Sequence, residues 1–277
     1  MKNDLYAVVG NPISHSKSPR IHSLFAAQTG EPVEYTAIQA PLDGFADTVT
    51  GFFDRGGCGL NITVPFKEQA WAMASKRTWR AEKAGAANTL FIDGDGHLTA
   101  DNTDGAGLVA DLVKNHGVAL ANQRILILGA GGAVRGVMGP LLAEQPRALV
   151  IANRTPAKAR VLADLFADEV GATQLRGGGF EQPTEVFDLV INGTSASLQG
   201  ELPPLSPAII GPSTVVYDMM YGPDTTTFNR WALDNGARAA IDGLGMLIEQ
   251  AAAAFAVWRG VQPDTAPVIA ALRDRVG

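Results

Sequence analysis

The sequence has only one cysteine, Cys58, in 277 residues. A single thiol excludes an intramolecular disulfide and any metal site built from thiolates alone. The chain also lacks an apolar run of the ~18 residues that a membrane-spanning helix needs. Its first residues lead directly into a predicted strand rather than into a signal peptide. We therefore expect a cytoplasmic protein with no bound metal and no membrane partner.

Positive charge is scarce as well. The chain has 22 Lys and Arg against 28 Asp and Glu, which gives a formal net charge of −6. This balance argues against nucleic acid or an anionic membrane surface as a partner. Hydrophobic residues make up 46% of the chain and charged residues 18%, a composition typical of a folded protein with a substantial core. The length suits one large domain or two ordinary ones.

Apolar residues 125–128 are followed at once by glycines and then by a helix-like segment. The order of strand, glycine-rich turn and helix is the context of a dinucleotide-binding fingerprint. Gly129 permits a tight turn, Gly131 lets the backbone approach a pyrophosphate, and the start of the next helix offers unpaired N–H groups. Val134 stands where the general pattern has Gly or Ala. A plain strand-to-helix turn is the alternative interpretation.

Strand and helix patterns alternate along the chain, which predicts an α/β fold. The first hundred residues predict one α/β unit, closed by a hairpin with a turn at residues 93–96. Residues 105–116 predict a connecting helix, and from residue 124 a second, doubly wound series begins. We expect domain limits of 1–104 and 105–241, followed by C-terminal helices in residues 242–277.

The turn after the second strand of this series contains Asn153, Arg154 and Thr155. A NAD-binding unit usually has a carboxylate there to hold the ribose 2′-hydroxyl, and none is present. The planar, permanently charged Arg154 suits a 2′-phosphate instead, and Lys158 lies one helical turn further on. The sequence therefore favours NADP over NAD, although Arg154 could be an ordinary surface residue and Thr155 an ordinary helix start.

Lys67 follows a strand and a proline, at the predicted start of a helix. The positive end of a helix dipole opposes an ammonium group, which is structurally unfavourable but favours release of a proton. Asp104, at the end of the first unit, could supply a carboxylate partner. Each residue alone has a plainer interpretation, as a solvated lysine and a helix cap. Together they predict an ammonium–carboxylate pair that could act as acid and base.

Eight stretches of the chain together form a specific pattern. They are GNPISHSKSP at 10–19, NITVPFK at 61–67, GAANT at 85–89, DNTDG at 101–105, GAGGAVR at 129–135, NRT at 153–155, YDMMY at 217–221 and DGLGMLIEQ at 242–250. By these stretches, which come in the same order, the chain resembles the shikimate dehydrogenase family over nearly its whole length, and the joint match is highly specific.

The resemblance implies the reversible reduction of 3-dehydroshikimate to shikimate with NADPH, a step of chorismate and aromatic amino-acid biosynthesis. It implies a Rossmann-like NADP domain, and a substrate domain completed by the returning C-terminal helices. It assigns Lys67 and Asp104 as the catalytic pair, which would protonate the alkoxide that forms when hydride reaches the ketone. The implied substrate contacts are Ser16, Ser18, Asn61, Thr63, Asn88, Asp104, Tyr221 and Gln250.

The resemblance also implies a set of cofactor contacts: Gly129, Ala130, Gly131, Gly132, Ala133, Asn153, Arg154, Thr155, Lys158, Thr194, Ser195, Met219, Gly243 and Met246. Gly193 departs from the family, in which alanine is common, and suggests a slightly more flexible loop at Thr194 and Ser195.

Two alternatives stay open at this point. One is a relative that also oxidises quinate, with NAD, which the turn at residues 153–155 and the paired serines disfavour. The other is a non-catalytic NADP or ligand sensor, which the presence of Lys67 and Asp104 disfavours. The expected assembly is a monomer or a homodimer.

Overall fold

The computed structural model describes residues 3–196 and 200–273, and within them the chain divides into two compact units. The first runs up to Gly107 and takes in Ile248–Leu272, while the second comprises Leu108–Leu247 and Arg273. The expected limits at residues 104 and 241 lie near these boundaries, and the expected C-terminal segment is shared between the units. Residues 274–277 of that segment lie outside the described residues.

The first unit contains a mixed six-stranded sheet in the order β2-β1-β3-β5-β6-β4. Strands β1, β2 and β3 are parallel, and β5 runs antiparallel to both β3 and β6. The predicted hairpin is thereby confirmed. The strands are β1 (Asp4–Gly10), β2 (Val33–Gln39), β3 (Gly57–Ile62), β4 (Lys76–Arg77), β5 (Thr89–Ile92) and β6 (Leu98–Asp101), and the helices of this part of the chain are α1 (Ser18–Thr29), α2 (Phe45–Asp54), α3 (Lys67–Met73), α4 (Trp79–Ala84) and α5 (Asp104–Ala110).

Helix α5 begins one residue earlier than the sequence predicts, and the last part of the predicted helix is not α-helical. The predicted helix at residues 105–116 is in fact α5 followed by a π-helical turn, Asp111–Asn115. The amide of Asp104 donates to the side-chain oxygen of Asn102 at 3.1 Å. This bond satisfies an N–H that the helix leaves unpaired, so Asn102 rather than Asp104 supplies the capping acceptor.

The second unit contains a parallel six-stranded sheet in the order β12-β11-β10-β7-β8-β9. The doubly wound organisation is confirmed, and the strand order reverses between β7 and β10. Ligands bind such sheets at this switch point, beyond the carboxyl ends of the strands. The strands are β7 (Arg124–Leu128), β8 (Ala148–Ala152), β9 (Gln174–Gly178), β10 (Leu189–Asn192), β11 (Val215–Asp218) and β12 (Ala239–Asp242), and the helices are α6 (Gly132–Ala143), α7 (Pro156–Leu165) and α8 (Thr227–Asp234).

Two helices follow the second sheet, α9 (Leu244–Arg259) and α10 (Ala266–Arg273). In the first unit, the later part of α9 packs on the sheet, where Trp258 lies 4.8 Å from Tyr6 between ring centroids. Gly59 makes this approach possible, because a Cβ there would lie 2.6 Å from the indole nitrogen of Trp258. Among the described residues, no helix is both long and apolar enough to cross a bilayer.

Candidate active site

Lys67 and Asp104 form a direct ion pair in the first unit. The ammonium nitrogen of Lys67 donates to Oδ2 of Asp104 at 2.6 Å. The Lys67 side chain is 30% exposed and that of Asp104 is 13% exposed. The pair is therefore accessible to a small molecule but largely shielded from water, which strengthens its electrostatic interaction.

The local fold fixes Lys67 at this place. It is the first residue of α3, after a cis peptide bond between Val64 and Pro65. The preceding Phe66 is fully buried and stacks on Phe45 with 4.7 Å between ring centroids. The carbonyl of Lys67 accepts from the amide of Ala87 at 2.8 Å. These contacts tie the start of α3 to the loop that precedes β5.

Asn88 is the centre of the polar network around the pair. It is 2% exposed, and its amide nitrogen donates to Oδ1 of Asp104 at 2.9 Å and to Thr103 Oγ1 at 2.8 Å. Its side-chain oxygen accepts from the amide of Thr103 and from the hydroxyl of Thr89, both at 2.9 Å. Asn88 thus holds one carboxylate oxygen of Asp104 while Lys67 holds the other.

Gln250 on α9 belongs to the same network within the first unit. Its Oε1 accepts from Asn88 at 3.2 Å, and its main-chain oxygen accepts from Thr103 at 3.0 Å. Gly107 allows α5 and α9 to meet here, because a Cβ at that position would lie 2.7 Å from the Gln250 backbone nitrogen. The structure therefore brings Gln250 to Asn88 and Thr103 although it is far away in sequence.

The remaining predicted substrate residues of this unit lie at its strand and helix ends. Ser18 is the first residue of α1 and is buried, and its amide donates to Oγ of Ser16 at 3.3 Å. The Ser16 hydroxyl thus accepts the first N–H of α1, as the Asn102 side chain does for α5, and the substrate role of the two serines stays a prediction. Asn61, at the end of β3, is almost fully buried and bonded internally. Thr63 packs on Gly10, where a Cβ would lie 2.5 Å from its methyl group.

In the second unit, the glycine-rich turn lines a cavity of about 520 Å³. The cavity lies at the switch point of the sheet, since the turn follows β7 and the facing loop follows β10. Most of the predicted cofactor residues line it: Gly129, Ala130, Gly131, Gly132, Ala133, Asn153, Arg154, Thr194 and Ser195. The structure therefore brings three separate loops of the predicted site together.

The glycines of this turn have different structural roles. Gly129 has φ +104°, and a Cβ there would lie 3.3 Å from the Gly193 carbonyl and the Thr194 methyl group. A Cβ added to Gly131 or Gly132 would meet no atom within 4 Å, so their missing side chains leave open space at the start of α6. An anion such as a pyrophosphate fits there, because the first N–H groups of a helix are unpaired.

Gly193 faces a close neighbour rather than open space. A Cβ at this position would lie 2.4 Å from a methyl group of Val134 and 3.1 Å from the sulfur of Met219. Val134 is fully buried. The missing side chain of Gly193 therefore leaves room for the valine that stands where the general pattern has Gly or Ala. The Thr194 amide and hydroxyl both donate to Oδ1 of Asn192, at 3.1 and 2.7 Å, which holds the adjoining loop.

The predicted phosphate-binding residues divide between two cavities. Arg154 is exposed and lines the cavity of the glycine-rich turn, whereas Lys158 lines a neighbouring one of about 300 Å³ together with Ala130 and Arg135. Thr155 precedes α7 but makes no side-chain cap. The turn offers cationic groups and no carboxylate, so it fits a phosphate better than a bare ribose hydroxyl.

Four other predicted residues of the second unit line neither of these cavities. Tyr221 lines a third cavity, of about 540 Å³, and burial raises the pKa of its phenol. Met219 and Met246 lie in the hydrophobic core. Gly243 lies against the residue that follows β11, because a Cβ there would be 2.3 Å from the Met219 carbonyl. The roles assigned to these four residues stay predictions.

The turn between β5 and β6 carries a group of possible metal ligands, Asp93, Asp95 and His97, whose ligand atoms lie within 4.8 Å of one another. The ammonium group of Lys76 bonds to both carboxylates, at 2.9 and 3.1 Å. This cation offsets one of the two negative charges, and we assign no metal to the turn.

Models of known protein families match most of the chain. The shikimate dehydrogenase substrate-binding domain matches residues 8–90, shikimate/quinate 5-dehydrogenase matches 111–199, and the shikimate 5′-dehydrogenase C-terminal domain matches 243–273. A curated NADP-dependent shikimate dehydrogenase of Marinobacter nauticus is 67% identical over 99% of both chains.

The chain belongs to the shikimate dehydrogenase family.

Solved structures agree with this membership. An Ael1 enzyme from Pseudomonas putida is 47% identical, with a TM-score of 0.92 over 98% of both chains. A shikimate 5-dehydrogenase from Thermus thermophilus, in complex with NADP(H) and shikimate, is 30% identical, with a TM-score of 0.85 over 99% of this chain and 100% of the other. Members of the shikimate dehydrogenase family thus share this fold over their full length.

Sequence reasoning missed several residues that belong to the two sites. Thr89 and Thr103 are fully buried beside Asn88, and Phe180 and Glu201 line the cavity of the glycine-rich turn. Both threonines stand in stretches that match the shikimate dehydrogenase family, directly after Asn88 and directly before Asp104. Their positions beside predicted site residues were the available signal. Phe180 and Glu201 follow no motif, and nothing in the sequence pointed to them.

Proposed function

We propose that the protein is an NADP-dependent shikimate dehydrogenase that interconverts 3-dehydroshikimate and shikimate. The observation that carries this proposal is the 2.6 Å bond between Lys67 and Asp104 within a polar site of the first unit. The family membership supplies the reaction, and the ion pair supplies the group that must move a proton in it. The alternatives of a quinate-oxidising relative and of a sensor are not favoured.

Lys67 is the acid of the reduction and the base of the oxidation. NADPH, when bound, supplies the hydride for the ketone carbon of 3-dehydroshikimate. The ketone oxygen then needs a proton, which the Lys67 ammonium group donates, and in the reverse direction the neutral amine removes a proton from the hydroxyl of shikimate. Asp104 holds the lysine nitrogen in place and stabilises its charged form.

Polar groups around the pair orient the substrate. We assign the hydroxyls of Ser16 and Ser18 to the carboxylate of shikimate, since hydroxyl groups can donate hydrogen bonds to an anion. Thr63, Asn88 and Gln250 are assigned to its hydroxyl groups. Asn61 and Tyr221 complete the assigned substrate set. Such positioning lowers the barrier by placing the reacting atoms in line before the chemical step.

The cofactor would lie along the cavity of the second unit. The open backbone at Gly131 and Gly132 suits the pyrophosphate, while Arg154 and Lys158 suit the 2′-phosphate of NADP. Thr155, Thr194, Ser195, Met219, Gly243 and Met246 are assigned to the rest of the cofactor. We place the reaction in the cytoplasm and expect a monomer or a homodimer.

The direct test is shikimate-dependent formation of NADPH, followed by the absorbance of the reduced nicotinamide. The purified protein should oxidise shikimate with NADP far faster than it oxidises quinate, and faster with NADP than with NAD. Equal rates with quinate would favour the relaxed-substrate relative. Binding of NADP without any turnover of shikimate would favour the sensor.

A further inference from the structure

A continuous series of hydrogen bonds runs through the first unit to the ion pair. The Tyr35 hydroxyl donates to Asn61 Oδ1 at 2.7 Å, and the Asn61 amide nitrogen donates to Thr89 Oγ1 at 3.3 Å. The Thr89 hydroxyl donates to Asn88 Oδ1 at 2.9 Å, and the Asn88 amide nitrogen donates to Asp104 Oδ1 at 2.9 Å. Every donor in the series points toward the Asp104 carboxylate.

Sheet register brings these side chains together. Asn61 on β3 and Thr89 on β5 are direct partners in the antiparallel pair. Tyr35 on β2 is separated from β3 by β1, where Tyr6 is its register partner and Asn61 is paired with Val8. The phenol therefore reaches across one strand to Asn61. A series of this kind depends on the packed sheet and on no single segment.

The members of the series are buried and well held. Thr89 is fully buried, Asn88 is 2% exposed and Asn61 is 6% exposed. The second hydrogen of the Asn61 amide is taken by the Asn88 carbonyl at 3.2 Å. Because both ends of this amide are occupied internally, its orientation is fixed. A flipped amide would place its oxygen against the Asn88 carbonyl oxygen, two acceptors with no hydrogen between them, which is costly in a buried site.

The ring of Tyr35 is fixed as well. The His22 ring stacks on it with 4.1 Å between centroids and an angle of 4°. Burial lowers the pKa of His22 to about 3, so this ring is neutral near pH 7 and adds no charge to the series. Burial raises the pKa of the Tyr35 phenol well above its usual value, and a hydrogen bond with the Ser18 side chain opposes this rise. The phenol thus stays protonated and available as a donor.

We propose that Tyr35 and Thr89 are positioning residues, which orient the Asn88 amide and through it the Asp104 carboxylate toward Lys67. Neither residue touches the ion pair. Successive hydrogen bonds in one direction polarise one another, so each donor in the series strengthens the last bond, from Asn88 to Asp104. The proposal rests on the proposed function, since it explains how the acid–base pair of that reaction is held.

The test compares variants that remove a hydroxyl with variants that keep it. Thr89→Val keeps the shape of the side chain and removes the hydroxyl, whereas Thr89→Ser keeps the hydroxyl and removes a methyl group. We expect Thr89→Val to lower kcat about 5- to 10-fold, which corresponds to one neutral hydrogen bond, with KM for NADP unchanged. Thr89→Ser should stay within about twofold of wild type. Equal losses in both variants would show that shape matters, not the bond, and would overturn the proposal.

Tyr35→Phe is the second variant, with Tyr6→Phe as its matched control. Tyr6 is a buried tyrosine of the same sheet, but its hydroxyl lies 3.4 Å from Arg259, outside the series. We expect Tyr35→Phe to lower kcat about 2- to 5-fold, and Tyr6→Phe to leave kcat unchanged. The double variant with Thr89→Val should lose no more than Thr89→Val alone, because the series is already broken nearer to Asp104. Multiplying losses, or no loss in either single variant, would contradict the proposal.

A second readout separates this proposal from the proposed function. The side-chain amide signals of Asn88 in a nitrogen–proton NMR spectrum report its hydrogen bonds without any substrate. They should shift in Thr89→Val and Tyr35→Phe and stay in place in Tyr6→Phe. If wild type fails to oxidise shikimate while these shifts occur, the proposed function fails and the hydrogen-bonded series stands. If wild type is active and the signals do not move, the series is refuted alone.

Discussion

The two candidate sites are built by opposite means. In the first unit, buried side chains hold one another, and Asn88 alone bonds to Asp104, Thr103, Thr89 and Gln250. In the second unit, the glycine-rich turn presents backbone and empty space, and no atom lies within 4 Å of a Cβ added to Gly131. Removing atoms from the first site should therefore lower turnover, and adding atoms to the second should weaken cofactor binding.

The largest effect should come from removing the ammonium group of the first site. Lys67→Ala should lower kcat by about 10²- to 10⁴-fold, the usual range for one acid–base group, with a smaller change in KM. The measurement is steady-state oxidation of shikimate. Lys76→Ala is the control, because Lys76 also pairs with carboxylates of the first unit but away from the site. Near-wild-type turnover of Lys67→Ala would refute the assigned role.

Adding atoms to the second site should weaken cofactor binding without harming the fold. Gly131 is extended at φ −89°, a conformation that valine adopts readily. Gly131→Val should raise KM for NADP about 10- to 100-fold, equivalent to a lost hydrogen bond to a charged group, while the melting temperature stays the same.

Gly129→Ala is the matched control for this prediction. The position has φ +104°, where a Cβ costs on the order of 1–2 kcal/mol. This substitution should lower the melting temperature, and Gly131→Val should not. If Gly131→Val binds NADP normally, the turn does not contact the cofactor, and the contrast between the two sites is lost.

The positive charge of Arg154, which we assign to the 2′-phosphate, should determine whether NADP or NAD is preferred. Arg154→Ala should reduce the free energy of NADP binding by about 1.5–3 kcal/mol, the range for a hydrogen bond to a charged group, and should hardly affect NAD. Titration of both cofactors measures this difference. Arg160→Ala removes an exposed arginine of α7, the helix that follows the turn of Arg154, and should change neither affinity. An equal loss for NADP and NAD would remove Arg154 from the 2′-phosphate site.

Lowering the pH should reduce the stability of the protein, because the first unit contains a buried neutral histidine. Burial lowers the pKa of His22 to about 3, against about 6.5 in an unfolded chain. Between these values only the unfolded state binds the proton, so the free energy of unfolding falls as pH drops below about 6.5. At pH 5 the loss should be about 2 kcal/mol relative to pH 7.

Urea unfolding of wild type and His22→Phe at pH 7 and pH 5 measures this effect. The variant should lose about 2 kcal/mol less than wild type over that interval. His15→Phe, a substitution of an exposed histidine, should behave as wild type. If His22→Phe loses as much stability as wild type, His22 does not resist protonation in the folded state.

Much of the fold could be predicted because its signals are local. The run at residues 125–128 and the glycines after it predicted a strand and a turn that the structure confirms as β7 and the start of α6. Strand β9 was missed because its five residues, QLRGG, have no apolar run. Strand β4 has only two residues, too few to show any alternation. Periodicity reports elements whose burial is regular and overlooks short or edge strands.

The candidate sites were predictable in part. Lys67 and Asp104 could be named from their types and from the family resemblance, and their contact at 2.6 Å confirms that they form a pair. The partners of Asn88 could not be derived, because they depend on atoms that the chain brings from residues as distant as 103 and 250. The complementarity of Gly193 and Val134 was likewise invisible, since each looked like an isolated departure from a pattern.

The sequence by itself determined the α/β alternation, the glycine-rich turn and the presence of one lysine and one aspartate able to share a proton. These are properties of neighbouring residues, which hydrophobic spacing and backbone freedom fix locally. Only the tertiary structure decided which atoms meet, such as Thr89 opposite Asn61 and the Gln250 backbone against Gly107. Hydrogen bonds act over about 3 Å, so they depend on sheet register and helix packing, which no local pattern specifies.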